Sequence, residues 1–152
     1  MPPVITLSLY EQDFVRWTEQ TAKQLKSRAF DAVDWDNLIE EVEALGRSER
    51  RELQSRLLVL FEHALKRVYL PLPQEFNGWE RTIRGQRIQL ELLLGDSPSL
   101  KTRWEPACDR AWSLALKKVR GDYPQIICPD HCPFDIEPDV LLNQVFWSVE
   151  SE

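Results

Sequence analysis

The spacing of apolar residues between positions 34 and 70 constrains the fold of this chain more than any other feature. In its first part the apolar residues recur at i, i+3, i+4, i+7 and i+10, as Trp35, Leu38, Ile39, Val42 and Leu45. At about 100° per residue this spacing places all five on one stripe of an α-helix. Asp34 fits the N-cap of that helix, and Gly46 fits the left-handed position after its last turn. We therefore predict a helix that ends at Leu45.

A second helix is predicted from Ser48 to about residue 70, where Pro71 and Pro73 prevent continuation. Its apolar band is broad and consists of Leu53, Leu57, Leu60, Phe61, Ala64, Leu65, Val68 and Tyr69. Such a band is typical of a central bundle helix that several neighbours contact. Beside the band runs a polar file of Glu52, Arg56, His63 and Arg67. If this helix carries a functional cleft, we expect the cleft at that file.

Three further helices are predicted from capping and spacing signals. They begin at Ser8, Asn77 and Ser97, and Pro106 is expected to kink the last of them. From Gly121 onward four prolines interrupt the chain, which favours an irregular tail that packs on the bundle.

The sequence thus predicts an all-α fold, a single-domain helical bundle of about five helices with a Pro-rich irregular C-terminal segment. The domain is expected to cover residues 1–152, with an extended N-terminus over residues 1–7 and the tail over residues 121–152.

The composition is typical of a folded, soluble protein. It has 152 residues, of which 43% are hydrophobic and 29% charged, and this length can bury a sizeable core. The net charge of -6 disfavours nucleic acid and anionic membrane surfaces as partners. No window is apolar enough to span a membrane. The first residues do not resemble a signal peptide. The three cysteines, an odd number, are expected to be reduced thiols, so we expect a cytoplasmic location.

Several segments resemble a bacterial family of unknown function, DUF29. They are Leu9–Phe14, Trp35–Arg51, His63–Lys66 and Cys132–Phe134, and the resemblance extends over nearly the whole chain. It implies a small helical protein of a kind abundant in cyanobacteria and proteobacteria, with no established activity. No catalytic residue is therefore carried over. Cys128 and His131 depart from the family's pattern, so the resemblance implies no role for them.

A metal site is the alternative that the acidic residues raise. Dinuclear helical bundles use Glu-x-x-His pairs, and this sequence has none. The adjacent Glu62 and His63 point about 100° apart on a helix and cannot face one ion. A looser divalent-metal site formed by Glu41, Glu43 and His63 would support a metal-assisted hydrolase. Solvated glutamates and a partly buried histidine are the more common interpretation of these residues.

The cysteines raise a weaker metal hypothesis. Cys128, His131 and Cys132 lie close in sequence, and Cys108 could add a fourth soft ligand for zinc. The spacing of three residues between Cys128 and Cys132 is unusual for zinc, and no second short-spaced pair accompanies it. A disulfide between these two is a lesser alternative, and inert thiols are the default.

No signature of a known enzyme class occurs in the sequence, and no cofactor is predicted. We therefore expect a protein-interaction or regulatory module without catalytic activity. Its partner would be another protein or a second copy of the chain, bound through an aromatic or acidic surface and the proline-rich tail. A third hypothesis is nucleic-acid regulation through Arg47, Arg50 and Arg51, although such arginines more commonly pair with nearby glutamates.

Overall fold

The structure, a computed structural model, describes residues 6–147, and these form helices without any strand. The α-helices are α1 (Leu9–Gln12), α2 (Phe14–Lys26), α3 (Trp35–Tyr69), α4 (Pro73–Asp96), α5 (Trp104–Asp122) and α6 (Pro138–Asn143). Short 3-10 helices cover Phe30–Ala32 and Pro98–Arg103. The predicted all-α fold is confirmed. Within the described residues no helix is both long and apolar enough to cross a membrane.

The chain divides into two compact units, residues 1–47 and residues 48–152. Helix α3 contributes residues 35–47 to the first unit and residues 48–69 to the second. The extent of one domain over residues 1–152 stays a prediction. The parts of the predicted N-terminal extension and tail that fall on residues 1–5 and 148–152 lie outside the described residues.

In the first unit, capping side chains set the helix boundaries. The Ser8 hydroxyl accepts a hydrogen bond from the backbone N–H of Glu11 at 3.4 Å, as the capping signal predicts. The predicted single helix from Ser8 is nevertheless interrupted at Asp13, whose backbone is extended with φ −152°. The Asp13 carboxylate instead caps α2 by accepting from the N–H of Arg16 at 3.0 Å. A second capping residue thus divides one predicted helix into two.

The predicted helix end at Gly46 is wrong. Gly46 and Arg47 are helical, and α3 continues without a break from Trp35 to Tyr69. A glycine inside a helix costs only about 1 kcal/mol relative to alanine. Good helix formers on both sides offset that cost, and Arg47 pairs across this turn with Glu43 at 3.9 Å. The two predicted helices are therefore one.

The second unit is built around the later part of α3. Residues 53–65 of this helix supply the centre of a core that α4, α5 and the tail complete. The fully buried members include Leu53, Leu57, Leu60, Phe61, Leu65, Ile83, Leu90 and Val119. From the tail, Cys128 and Leu141 are buried, and Ile126, Phe134 and Ile136 pack against the same cluster. The irregular segment therefore lies on the helices, as its apolar residues predict.

Two proline signals act differently from the prediction. Helix α4 begins at Pro73, four residues before Asn77, because proline is well suited to the first helical position. Pro106 is the third residue of α5, since residues 98–103 form a 3-10 helix rather than the start of α5. Backbone N–H groups in a first turn lack intrahelical partners in any case. Pro106 therefore removes no helical hydrogen bond, and the expected cause of a kink is absent at this position.

The turn after α2 contains a backbone conformation that its residue does not favour. Arg28 has φ 63° and lies directly after the helix C-cap. Its N–H donates to the carbonyl oxygen of Leu25 at 3.2 Å, and the N–H of Ala29 donates to that of Gln24 at 2.9 Å. This is the Schellman arrangement that glycine usually completes. A residue with a Cβ pays a steric penalty there that glycine avoids.

We predict that Arg28→Gly raises the free energy of unfolding by about 0.5 to 1 kcal/mol, since glycine adopts this conformation without the Cβ clash. Urea unfolding followed by far-ultraviolet circular dichroism measures the change. Arg28→Ala removes the same charge and keeps the Cβ, so it should give no such gain. Equal stabilisation by both variants would contradict the backbone explanation.

Candidate functional site

The two glutamates of the predicted metal site lie in the first unit and already have partners there. Glu41 is half-buried and accepts a hydrogen bond from the Tyr10 hydroxyl. This hydrogen bond raises the pKa of Tyr10, and burial and the charge of Glu41 add to the effect. Glu43 is exposed and pairs with Arg47. Both carboxylates thus make structural contacts that need no metal ion.

His63, the third predicted ligand, lies in the second unit. Its Nδ1 is 2.8 Å from the backbone carbonyl oxygen of Val59, which can only accept, so Nδ1 carries the proton. Burial lowers the pKa of His63 and outweighs the opposing effects of that carbonyl and of Glu62. The ring is therefore neutral near pH 7, with Nε2 as its free acceptor.

Over residues 6–147, no three or more His, Cys, Asp or Glu side chains come together as a metal-binding group. The site that uses Glu41, Glu43 and His63 stays a prediction. The same applies to the weaker set in the tail. There Cys128 is buried, Cys132 is half-buried and His131 is exposed.

The three cysteines are free thiols. Burial raises the pKa of the Cys108 thiol to about 12, with a smaller contribution from Cys132. Burial also raises the pKa values of Cys128 and Cys132. Thiols of this kind are poor nucleophiles at neutral pH because the reactive thiolate is scarce.

The polar file of α3 makes contacts along α4. Arg56 lies 3.5 Å from Glu52 on its own helix and donates to Gln86 of α4 at 3.4 Å. Arg67 pairs with Glu80 of α4 at 2.9 Å, and its guanidinium lies over the Phe76 ring at 3.8 Å. These contacts join the two helices. The arginines of the file therefore have a packing role in the second unit, and a functional cleft at the file stays a prediction.

A buried ion-pair group beside His63 was not predicted from sequence. Glu62 is only 4% exposed, and its carboxylate lies 3.1 Å from the Lys66 ammonium and 3.0 Å from that of Lys118. Burial alone would raise the pKa of Glu62. Hydrogen bonds from Lys118 and Lys66, together with their charges, outweigh it and hold the pKa of Glu62 below its ordinary value. The spacing of four residues to Lys66 is visible in the sequence, but Lys118 is distant in the chain.

A second contact that sequence reasoning missed fixes the tail. The Arg87 guanidinium donates to the backbone carbonyls of Leu141, at 3.0 Å, and Gln144. It also lies 4.4 Å from the centroid of the Phe146 ring. Its hydrogen-bond acceptors are thus backbone carbonyls. A planar, weakly hydrated guanidinium suits such a mixed polar and aromatic site.

The first unit leaves a large apolar surface uncovered. Of the five residues in the stripe on the first part of α3, four are exposed large apolar side chains, namely Trp35 at 45%, Ile39 at 52%, Val42 at 59% and Leu45 at 68%. On α2, Phe14 is 48% exposed and Val15 is 64% exposed. We call these six residues the apolar face. Singly exposed apolar residues are ordinary, but a contiguous set at helical spacing is typical of a binding surface.

A concavity of about 360 Å³ lies next to the apolar face, between α2 and the first part of α3. Its walls are two helical stripes, which are Phe14, Trp17, Thr18, Thr21, Ala22 and Leu25 on one side and Leu38, Glu41, Val42 and Leu45 on the other. The residues at 35, 38, 42 and 45 follow the alternating spacing of three and four that helices use when they pack along a seam. The surface therefore has the shape and spacing that accept further helices.

A comparison with protein families gives a match over most of the chain. The family described as Domain of unknown function DUF29 matches residues 9–147. The chain belongs to the DUF29 family. No curated protein and no solved structure matches this DUF29 chain. The resemblance noted from the segments at residues 9, 35, 63 and 132 is confirmed, and the apolar face lies within the matched residues.

Replacing the buried carboxylate tests the ion-pair group of this DUF29 protein. We expect Glu62→Gln to lower the free energy of unfolding at pH 7 by about 2 kcal/mol, because it leaves Lys66 without its charged partner. The pKa of Glu62 is lowered in the folded state, so its stabilisation is full above the unfolded pKa, about 4.3, and is lost as the pH falls through the folded pKa. The difference in free energy of unfolding between the wild type and Glu62→Gln should therefore become smaller below about pH 4.

Glu52→Gln on the same helix is the matched control. Glu52 pairs with Arg56 at a half-exposed position, so its replacement should cost less than about 0.5 kcal/mol. Urea unfolding at several pH values measures both variants. An equal loss in the two, or a Glu62→Gln effect that does not depend on pH, would contradict the buried-pair account.

Proposed function

We propose that this DUF29 protein is a protein-interaction module that associates with a second copy of itself through the apolar face of the first unit. In this arrangement α2 and the first part of α3 from two copies form a four-helix interface. The concavity beside the apolar face accepts apolar side chains of the other copy. The observation that carries the proposal is the exposure of four of the five stripe residues on α3.

The amphipathic pattern of these helices supports a helical occupant. The stripe on α3 has the period of a helix that packs against other helices, so its exposure leaves a packing surface without its counterpart. Within the first unit Leu38, Val42 and Leu45 of the stripe line the concavity opposite α2. Trp35 and Ile39 do not line it and are 45% and 52% exposed, so this side of the stripe has room for another helix.

The charges beside the apolar face favour a second copy as the occupant. Helix α2 carries three basic residues, Arg16, Lys23 and Lys26, against one acidic residue, Glu19. Residues 35–47 of α3 carry four acidic residues against one basic residue. A helix bound to this face therefore meets a basic helix on one side and an acidic helix on the other. A second α2–α3 pair in antiparallel orientation offers the opposite charge at each side.

The free energy of association can be estimated to an order of magnitude from the apolar surface that two copies would bury. Burying the remaining half of a large apolar side chain yields about 1 kcal/mol, so the apolar faces of two copies supply on the order of 10 kcal/mol. Association itself costs about 4 to 15 kcal/mol. The two terms are of similar size, which predicts a reversible association that depends on protein concentration.

A charge placed in the apolar face should abolish the association. We expect the wild-type chain to sediment as a concentration-dependent dimer in analytical ultracentrifugation, and Leu45→Glu to sediment as a monomer. Leu92→Glu is the matched control, because Leu92 is 57% exposed on α4 and lies outside the face. It should dimerise like the wild type. A wild-type chain that stays monomeric up to about 1 mM would rule out the proposal, since that limit leaves less than about 4 kcal/mol of association energy.

Complementary charge reversal distinguishes a second copy from any other helical partner. Lys23→Glu with Lys26→Glu makes both helices acidic, and Glu40→Lys with Glu43→Lys makes both basic. Each double variant alone should be monomeric because like charges then meet across the interface. An equimolar mixture should dimerise again, less so at high salt. Dimers of either variant alone as strong as those of the wild type would contradict the antiparallel arrangement.

A further inference from the structure

A surface concavity in the second unit has a strongly positive lining. It measures about 240 Å³ and lies between α3 and the first turns of α5. Its lining is Arg50, Leu53, Gln54, Arg103, Pro106, Ala107 and Arg110. Three of these seven side chains are guanidinium groups, and no lining residue is acidic. In a chain of net charge -6, such a local excess of positive charge calls for an explanation.

The helical spacing explains why the three arginines meet. On α5, residues 106, 107 and 110 lie at intervals of one and three, so they share one face of the helix, and Arg103 is the N-cap residue directly before it. On α3, residues 50, 53 and 54 do the same. The Gln54 side-chain amide donates to the backbone carbonyl of Ala107 at 3.2 Å and joins the two faces at the floor of the concavity.

Four arginines of the protein pair with carboxylates, and within residues 6–147 the three arginines of the concavity do not. Arg47, Arg56, Arg67 and Arg120 each lie within 4.0 Å of a carboxylate. Across residues 6–147, no such ion pair forms at Arg50, Arg103 or Arg110. All three are exposed, so their donors point into water or toward a ligand. Like charges around one concavity repel each other, and a bound anion removes that repulsion.

We propose that this concavity binds a small phosphate monoester, with the phosphate held by Arg50, Arg103 and Arg110. Each guanidinium presents a planar fork of N–H donors that matches the oxygens of a phosphate. Three forks fit the three terminal oxygens of a monoester better than the two oxygens of a carboxylate. Leu53, Pro106 and Ala107 supply an apolar floor for the organic part of the ligand. The volume lies below the range of pockets for drug-sized molecules, which favours a small ligand.

Nucleic acid is a different occupant for the same charges, and the site favours it less. An internal phosphodiester offers only two terminal oxygens. Of the arginines proposed for nucleic acid from sequence, Arg47 is already paired with Glu43, and Arg50 lines the concavity. A long polyanion needs a run of basic residues along the surface, and the net charge opposes its approach.

Binding to the protein is measured by isothermal titration calorimetry with phenyl phosphate as the probe. We expect saturable binding, and a loss of affinity of about fivefold to tenfold for each of Arg50→Gln, Arg103→Gln and Arg110→Gln. Arg84→Gln is the matched control, since Arg84 is an exposed arginine of α4 outside the concavity. It should bind like the wild type. Circular dichroism confirms that each variant keeps its helices.

Two further probes decide the class of ligand. Benzoate has the same ring and a carboxylate, and it should bind at least tenfold more weakly than phenyl phosphate. A single-stranded oligonucleotide without terminal phosphates should not compete with phenyl phosphate. The proposal is overturned if phenyl phosphate shows no binding up to about 10 mM, or if Arg84→Gln weakens binding as much as Arg110→Gln does. Equal binding of benzoate, or competition by the oligonucleotide, also overturns it.

Discussion

Burial of one side of α3 is the interaction on which the second unit depends. Leu57, Leu60 and Phe61 have no exposed surface, and helices α4 and α5 and the tail all contribute to the core that covers them. Each fully buried side chain of this size contributes about 1.5 to 3 kcal/mol through the hydrophobic effect. The polar contacts then set which parts of the chain meet this helix. Arg67 binds Glu80 of α4, Gln54 binds Ala107 of α5, and Arg87 of α4 holds the carbonyls of the tail.

The exposure of the apolar residues of α3 differs between its two parts. Between residues 53 and 65 they are buried, whereas Ile39, Val42 and Leu45 are more than half exposed. Both segments have helical spacing, so the difference lies in what surrounds them. In the first unit α2 packs along one side of the stripe, and Trp35, Ile39, Val42 and Leu45 stay exposed. A counterpart from another chain covers these side chains, which is the physical basis for the proposed self-association.

The sequence predicts helices well here and predicts their surroundings poorly. Spacing and caps locate the helical segments of α2, α3 and α5 but misplace some of their ends, and they identify the role of Ser8, because these signals act over a few residues. Gly46 is misjudged because its local penalty is small compared with the good helix formers on both sides. The stripe at residues 35–45 reveals an apolar surface but not whether its own chain covers it. The Glu62 and Lys118 pair and the arginine-lined concavity join residues more than 50 positions apart, which no local pattern indicates.

The position of the apolar face within the chain has a consequence for biosynthesis. All six of its residues lie before residue 48, so they are complete in the nascent polypeptide while the second unit is still being made. Neighbouring ribosomes on one messenger hold such nascent chains close together. Under the proposed self-association, pairing of two copies can therefore begin during translation and cover the apolar face before the finished chains are released.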